Sequence, residues 1–446
     1  MKKIVLSLAG VMAAVAFAPE ASAVPVFARQ TGMACSACHF QHFPLLNGFG
    51  RAFKNGGFTM VGAQGKVEDH PEHGPGLDIP DRLNLGVLTS AYWQDEVGSA
   101  GGANKKDQAR WGVPSSGGEL SIFYGGRASE FAGFLSELGA AGSAGAAATG
   151  AAKLALLFPV GDMRAGLVAY TGGQGAAYGF ETQNTGAADT HKLMGNSGPS
   201  KQHVAATYAG SYLGTRVDAT GINLVANTSM GFVSVGKYGA VGPGTGSAND
   251  LPLTYARIVA NLDLAGWDVG FGAQHFSGDM SNLAATVQNS YNANVIDVQA
   301  QGELAGMPAG LYVTYGTAPA NNTGNTMAAG WSTLVKVNSM AQNDLAAKSL
   351  NIAGSLEFVH GATVQAALRS ATLDVGAANT SLGNTSAQSY SDNAVMIGAT
   401  YDLTQNIALG LNYTVQSGSA WDQYKTKNGK DAVGQTSTTF LLEALF

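Results

Sequence analysis

Two cysteines and a histidine stand close together near the start of the chain. Cys35 and Cys38 are separated by two residues, and His39 follows directly. Thiols three residues apart lie on the same side of a helical turn, so both can bond one flat partner while the adjacent imidazole binds a metal ion within it. C-x-x-C-H is the pattern of c-type haem attachment. The sequence therefore predicts one covalent haem c, with thioether bonds to Cys35 and Cys38 and with His39 as an axial iron ligand.

Two other chemistries are open to the same side chains. Cys35 and Cys38 could form a redox-active disulfide, but motifs of that kind lie in a βαβ context that is missing from the flanking sequence. Cys35, Cys38, His39 and His42 could instead hold zinc, although adjacent Cys38 and His39 fit poorly around one tetrahedral ion. Haem attachment is favoured over both, and no catalytic residue is predicted.

The second axial position on the iron has several candidates. They are Met33, His42, Met60, His70 and His73. His42 and Met33 are close to His39 in sequence and would need the chain to reverse, and the other two histidines lie in a Gly/Pro-rich linker. Met60 is preferred because the stretch between it and His39 is long enough to wrap over the haem. Methionine ligation would raise the reduction potential, and an open five-coordinate iron is the remaining possibility.

A short helix is expected beyond the motif. Phe49 and Phe53 are four residues apart, so they share one helical face that could cover the haem edge. Arg51 and Lys54 on the same segment could pair with the haem propionates, or could be ordinary surface charges.

Composition limits the class of protein that carries this motif. Of 446 residues, 12% are charged, 61 are glycine and 45% are hydrophobic, with a net charge of −6. Such low charge does not fit an ordinary soluble domain. A negative net charge argues against a nucleic-acid partner, which would require a basic face.

The N-terminus has the features of a cleaved export signal. Lys2 and Lys3 precede an apolar run over 4–18, and Ala21-Ser22-Ala23 is an A-x-A cleavage site. We therefore expect a signal peptide over 1–23. No later stretch is long and apolar enough for a membrane helix.

The chain changes character near Asp81. Residues 24–80 hold the C-x-x-C-H motif and a linker, whereas 81–446 consist of segments of about ten residues in which apolar and small or polar side chains alternate. Such alternation predicts β-strands. Long loops are expected at 95–116, 140–151, 172–213, 240–252, 278–292, 317–345, 375–391 and 417–434. Short turns lie between them.

Long loops at one end and short turns at the other are typical of an outer-membrane β-barrel. Eight long loops and seven turns predict about 16 antiparallel strands, with 203–213 assigned to the third loop. A soluble β-sandwich or β-helix would carry more surface charge. The alternating last strand, which ends at Phe446, resembles the signal read by the outer-membrane assembly machinery. We expect an all-β barrel in the outer membrane of a Gram-negative bacterium.

The N-terminal segment resembles that of fused monohaem cytochrome–porins. The resemblance rests on Phe27-Ala28-Arg29-Gln30-Thr31-Gly32-Met33-Ala34-Cys35 through His39, on Phe43-Pro44, Phe49-Gly50-Arg51 and Phe53-Lys54, and on Gly57-Phe58-Thr59. It implies a small cytochrome segment that plugs a barrel of about 16 strands. It also implies electron transfer from extracellular Fe(II) to periplasmic carriers.

Three functional hypotheses follow. The first is an electron conduit, which as an enzyme would be an Fe(II):cytochrome c oxidoreductase. Its partners would be an external donor such as Fe(II), a periplasmic cytochrome or other acceptor, and the lipid outer membrane. The second is a diffusion porin or transporter whose haem segment is structural or regulatory. The third is a haem peroxidase, which would need an open distal position and a His/Arg pair near the haem. Arg29, Arg51 and His42 are close enough in sequence to supply that pair.

Overall fold

A computed structural model describes residues 25–62, 64–65, 81–97, 107–139, 149–172, 175–185, 219–239, 250–281, 288–318, 345–375, 388–419 and 436–446. The predicted signal peptide, His70 and His73 lie outside these residues. Three short helices come first: α1 (Pro25–Thr31), α2 (Cys35–Cys38) and α3 (Gly48–Asn55). A single 3-10 turn, Ala176–Tyr178, lies further along the described chain.

Everything else that is regular in the described chain is strand. The strands are β1 (Leu85–Val97), β2 (Asp107–Pro114), β3 (Gly117–Gly118), β4 (Leu120–Ser129), β5 (Ala132–Gly139), β6 (Thr149–Val160), β7 (Met163–Gly172), β8 (Ala219–Thr228), β9 (Gly231–Gly239), β10 (Leu253–Leu264), β11 (Trp267–Ser281), β12 (Gln288–Leu304), β13 (Met307–Ala318), β14 (Leu345–Val359), β15 (Ala362–Val375), β16 (Gln388–Thr404), β17 (Ile407–Ser417) and β18 (Thr436–Leu445). Among the described residues, no helix is long and apolar enough to cross a membrane.

The strands form one closed antiparallel barrel. From β4 to β18 each strand pairs antiparallel with its neighbour in sequence, and β1 closes the sheet against β18, from Leu88 opposite Leu445 to Val97 opposite Thr436. One half of β1 pairs with β2 and the other half with β4, so β2, β3 and β4 together occupy a single strand position. The described barrel therefore has 16 strand positions, which confirms the predicted architecture.

The alternation of side chains is inside-out relative to a soluble protein. On β17, Leu411 and Tyr413 are exposed, whereas Asn412 and Thr414 are buried. The same arrangement recurs along β12, where Ile296 is 60% exposed and its neighbour Asp297 is 3% exposed. Apolar side chains on the outer surface and polar side chains in the interior are what a barrel needs to stand in lipid. The fold is that of an outer-membrane β-barrel protein.

The connections alternate as predicted. Seven of them are short turns between described strands, for example Ala305-Gly306 between β12 and β13 and Gln405-Asn406 between β16 and β17. The connections at the opposite end are the eight long ones, and the segment 203–213 lies outside the described residues. Short turns face the periplasm in barrels of this kind, so the turn end of this barrel is its periplasmic end.

Residues 25–62 lie inside the barrel and are called the plug. Arg51 bonds Asp268 and Gln301 of neighbouring strands, and Gln41 donates to the backbone oxygen of Pro308 at 2.9 Å. On another side of the lumen, Leu45 packs in a buried cluster with side chains of β13 to β16. Because its contacts reach several sides of the wall near the turns, the plug occupies the periplasmic end of the lumen.

A second segment also enters the lumen and is called the lumen loop (residues 175–185). Every one of its residues is buried. Thr185 donates to Asp297 at 2.6 Å on the barrel wall, and Asn184 accepts from the backbone N–H of Leu46 in the plug at 3.0 Å. The lumen loop is therefore bonded to both the wall and the plug, and it covers the plug on the side away from the turns.

Candidate functional site

The motif lies on a compact pair of helices within the plug. Helix α2 spans the four residues of the motif from Cys35 to Cys38, and the His39 N–H donates to the Cys35 oxygen at 2.9 Å. Asn47 joins α2 to α3. Its Oδ1 accepts from the Gly50 N–H at 2.9 Å as the N-cap of α3, and its Nδ2 donates to the Ala37 oxygen at 3.1 Å. One side chain thus holds the two helices in register.

The two helices cross at Gly50. A Cβ atom at this position would lie 2.2 Å from the carbonyl oxygen of Cys38. That separation is far below any real contact, so only glycine allows α3 to lie directly against the C-terminal end of the motif. The Gly50 singled out by the sequence resemblance is therefore required by packing.

Both thiols and the imidazole line one cavity between the plug and the barrel wall. The plug contributes mostly apolar and aromatic side chains to it, and β1, β4, β5, β6, β18 and the lumen loop supply the opposite wall. Its lining includes Val26, Phe27, Met33, Cys35, Cys38, His39, Phe43, Leu46, Phe53, Lys54, Phe58, Val87, Phe123, Leu135, Glu137, Lys153, Tyr178, Glu181 and Leu445. Three of the sequence-predicted site residues, Cys35, Cys38 and His39, are thus brought together.

His39 is held in a defined orientation. Its Nδ1 lies 3.1 Å from the backbone oxygen of Leu45, and its ring meets that of Phe43 edge to face at 5.2 Å. Because a carbonyl oxygen only accepts, Nδ1 must carry the proton, and the lone pair is left on Nε2. Desolvation lowers the pKa of His39 to about 4, so the ring is neutral at neutral pH. A metal-binding histidine is usually anchored through its other nitrogen in this way.

Cys35 and Cys38 are not joined by a disulfide bond. Cys35 donates through Sγ to the backbone oxygen of Gln405, 3.2 Å away in the turn between β16 and β17. Because Gln405 lies in a short turn, this bond places the motif at the periplasmic end of the lumen. Burial raises the pKa of the Cys38 thiol.

Three phenylalanines form one wall of the cavity. The Phe27 ring stacks on Phe58 at 5.1 Å and meets Phe53 edge to face at 5.0 Å. Phe53 is buried, whereas Phe49 is 40% exposed and does not line this cavity. The helix predicted around Phe49 and Phe53 is α3, and of these two phenylalanines only Phe53 lines the cavity.

The structure places the two methionine candidates on different sides of α3. Met33 lines the cavity, whereas Met60 lines a separate hollow together with Phe49, Arg127 and Glu130. Gln30, which is fully buried, donates to the backbone oxygens of Phe58 and Met60 at 2.7 Å each. These two bonds hold the Met60 backbone against α1, and the structure does not bring its side chain to His39.

The predicted basic pair is also separated. Arg51 is buried and is bonded to Asp268, to Gln301 at 3.0 Å and to the Leu46 oxygen at 3.2 Å, so it anchors the plug to the wall. Lys54 lines the cavity as expected. A second lysine on the cavity, Lys153 of β6, was missed from the sequence. Its signal was available, because Lys153 is the single charge in an otherwise uncharged strand.

A zinc site and a haem peroxidase, two of the alternatives considered above, have different local requirements. Among the described residues, no group of three or more His, Cys, Asp or Glu side chains is placed to hold a metal ion, and His42 does not line the cavity. Neither Arg29 nor Arg51 reaches it either, since Arg29 bonds the Leu85 oxygen on β1. The described cavity therefore lacks the His/Arg pair that a peroxidase would need.

Comparison with known proteins finds solved structures in which the chain follows a similar path. No protein-family model and no curated protein matches the sequence. Among solved structures, a loop L8 deletion mutant of the outer-membrane protein OmpT of Vibrio cholerae has 10% identity and a TM-score of 0.48, covering 82% of this chain and 99% of that one. The fold itself rests on the strand pairing described above.

Two further solved structures have similar values. The outer-membrane channel DcaP of Acinetobacter baumannii has 13% identity and a TM-score of 0.45, covering 82% of this chain and 97% of that one. OmpF of Salmonella typhi, in complex with daunomycin, has 12% identity and a TM-score of 0.46, with coverage of 82% and 98%.

The lumen loop is held by a buried cluster of charges. Glu181 lies 2.9 Å from the Nε of Arg257, and Arg257 also bonds Asp297. Glu181 further accepts from the backbone N–H groups of Thr182 and Gln183 at 2.9 and 2.8 Å. Burial nevertheless raises the pKa of Glu181, with the Asp297 charge adding to the effect and Arg257 opposing it.

Proposed function

We propose that this barrel holds one covalent haem c in its lumen and transfers electrons across the outer membrane. The donor would be an extracellular reductant such as Fe(II), and the acceptor a periplasmic cytochrome or another soluble carrier. The observation that carries the proposal is the shared cavity. Cys35, Cys38 and His39 line one mostly apolar space inside the barrel, with the Nε2 lone pair of His39 left for the iron.

The side chains around the cavity fit a haem. The phenylalanines suit the apolar macrocycle, the two thiols suit thioether bonds, and the anchored neutral imidazole suits axial ligation. Bound haem would supply one-electron redox chemistry. The chain's own contribution is to orient the group through Leu45 and to limit water access with the plug and the lumen loop.

The cavity also favours one distal ligand over another. Of the two methionine candidates, Met33 lines the cavity and Met60 does not. We expect Met33→Leu to change the ligand-field bands of the oxidised haem, whereas Met60→Leu should leave them as in the wild type. If Met60→Leu changed these bands and Met33→Leu did not, Met60 would be the distal ligand. If both variants had the wild-type spectrum, another group would hold the distal position.

The central experiment uses the full chain purified from outer membranes in detergent. Covalent haem is measured as a pyridine haemochrome, and the oxidised protein is then mixed with Fe(II) in a stopped-flow spectrometer. Rapid reduction followed by oxidation with a soluble cytochrome would support the proposal. If dithionite reduces the haem but Fe(II) does not, Fe(II) is excluded as the donor. A wild-type protein without covalent haem would contradict the proposal.

A diffusion porin is the second candidate function. It is favoured by the 16 strand positions of the barrel, a size at which porins enclose an aqueous channel. The test is solute flux through protein reconstituted in liposomes, measured with the haem oxidised and reduced. Flux of small solutes that is independent of redox state would favour the porin, and a closed barrel would favour the conduit.

A further inference from the structure

Two lysines line the cavity, one from the plug and one from the barrel wall. Lys54 comes from α3 in the plug, and Lys153 comes from β6 in the barrel wall. Lys153 precedes Val160, the turn-end residue of β6, by seven positions, which is roughly 20 Å along a strand. Cys35, by contrast, contacts the turn at Gln405. The cavity therefore has thiols near the periplasmic end and lysine side chains toward the middle of the barrel.

Neither lysine has a carboxylate partner in the described structure. No carboxylate oxygen among the described residues lies within 4 Å of either ammonium group. Lys153 instead donates to the backbone oxygen of Tyr178 at 2.5 Å, and its Nζ lies 3.7 Å from the centre of the Tyr178 ring. Both contacts hold the cation in place without neutralising it.

The carboxyl groups that line the same cavity are Glu137 and Glu181. Glu181 is turned toward Arg257, Gln274 and its own following backbone N–H groups. Burial lowers the pKa of Lys54, and the charge of Glu181 opposes that effect only in part. A cation held in protein without an opposite charge is costly, so a site of this kind gains when an anion binds.

We propose that Lys54 and Lys153 bind the two propionate carboxylates of the haem. This inference rests on the proposed function, because it assigns the orientation of the same group. The thioether edge of the haem would lie at the periplasmic turns, and its propionate edge would lie beneath the lumen loop. The edge nearest the periplasm is then the one attached to Cys35 and Cys38, where an electron can leave for a soluble acceptor.

The test uses the full-length haem protein and lysine variants. Lys54→Met, Lys153→Met and the double variant remove the cations while the thiols and His39 remain. Lys54→Arg and Lys153→Arg retain the charge. Lys237→Met is the matched control, because Lys237 is an exposed lysine of β9 that bonds Thr254 and does not line the cavity.

The readouts are haem content, midpoint potential and the propionate bands in resonance Raman spectra. A cation near the haem stabilises the reduced form, because reduction adds a negative charge. Each Met variant should therefore retain covalent haem but lower the reduced-to-oxidised ratio at fixed potential about tenfold, equal to about 59 mV for one electron. The propionate bands should shift, and the Arg variants and the Lys237 control should match the wild type.

Three results would overturn the inference. A double Met variant with wild-type potential and propionate bands would show that the lysines do not bind the carboxylates. A change in the axial-ligand bands of Lys54→Met would assign Lys54 to the iron instead. Wild-type protein without haem would contradict the proposed function itself. If a Met variant does not fold, as judged by heat-modifiable mobility, the matching Gln variant takes its place.

Discussion

His39 shows how much of this site depends on single backbone atoms. The carbonyl oxygen of Leu45 sets the tautomer of the imidazole, and that of Cys38 lies where any side chain at position 50 would collide. Neither backbone oxygen is itself a reactive group. The site is therefore sensitive to substitutions that alter no reactive group.

Gly50→Ala is expected to disrupt the site although it adds one methyl group. The new Cβ would overlap the Cys38 oxygen, so α3 must move away from the motif, at a cost of about 1–3 kcal/mol. We predict a lower ratio of covalent haem to folded barrel, measured by haemochrome against heat-modifiable mobility. Gly354→Ala is the control, since its Cβ would meet only the Gly310 oxygen, at 3.7 Å. Equal haem content in both variants would contradict the prediction.

At the scale of elements, the plug is stabilised by contacts that join short helices to each other and to the wall. Helices of four to eight residues are not stable alone. Asn47 caps α3 and bonds α2, and Arg51 joins α3 to β11 and β12. The helices therefore depend on these tertiary contacts for their geometry.

Two substitutions at Asn47 separate its roles. Asn47→Asp keeps an acceptor for the Gly50 N–H but removes the donor to the Ala37 oxygen, whereas Asn47→Ala removes both. Loss of the cap alone should cost about 1 kcal/mol. We expect protease cleavage within the plug to be fastest in the Ala variant, intermediate in the Asp variant and slowest in the wild type. Similar rates for Ala and wild type would show that the cap contributes nothing.

The lumen loop is an element held by charge. Arg257→Gln would leave Glu181 and Asp297 without their shared cation inside the barrel, a change worth roughly 3–5 kcal/mol. We predict that the loop leaves the wall and that single-channel conductance in planar bilayers rises several-fold. Lys348→Gln, at an exposed position of β14, should leave conductance unchanged. If the conductance of the Arg257→Gln variant equals that of the wild type, the plug alone closes the lumen.

At the scale of the whole molecule, the barrel combines an apolar exterior with a filled polar interior. The sheet closes through β1 and β18, so the described strands leave no unpaired edge in lipid. Its interior holds the plug at the turn end and the lumen loop above it. Together they enclose the cavity that carries the C-x-x-C-H motif.

The lipid-facing surface can be tested at Ile296. Its side chain is 60% exposed on β12, so Ile296→Arg would place a charge in the hydrocarbon layer at a cost of roughly 2–4 kcal/mol near the midplane. We expect a lower urea midpoint for unfolding from liposomes. Ile296→Leu, which changes shape but not polarity, should unfold like the wild type. Equal midpoints for the Arg and Leu variants would place Ile296 away from lipid.

Local features of the chain were enough to predict the barrel. Alternation along β17 and β18 and the spacing of loops and turns are properties of neighbouring residues, because a strand has a repeat of two. They predicted 16 strands, as the structure shows. The C-x-x-C-H motif is local in the same sense, and its three residues were found because they lie within five positions.

The strands, the turns and the motif could therefore be predicted because each depends only on adjacent residues. The tertiary structure decided which distant side chains meet that motif. In the folded protein Met33 lines the cavity and Met60 does not, and Arg51 bonds Asp268. Lys153 lines the same cavity from a strand over a hundred positions away. The physical reason is that these pairings follow from barrel closure and plug docking. Both are sums of many weak contacts across the lumen, and no short stretch of sequence encodes them.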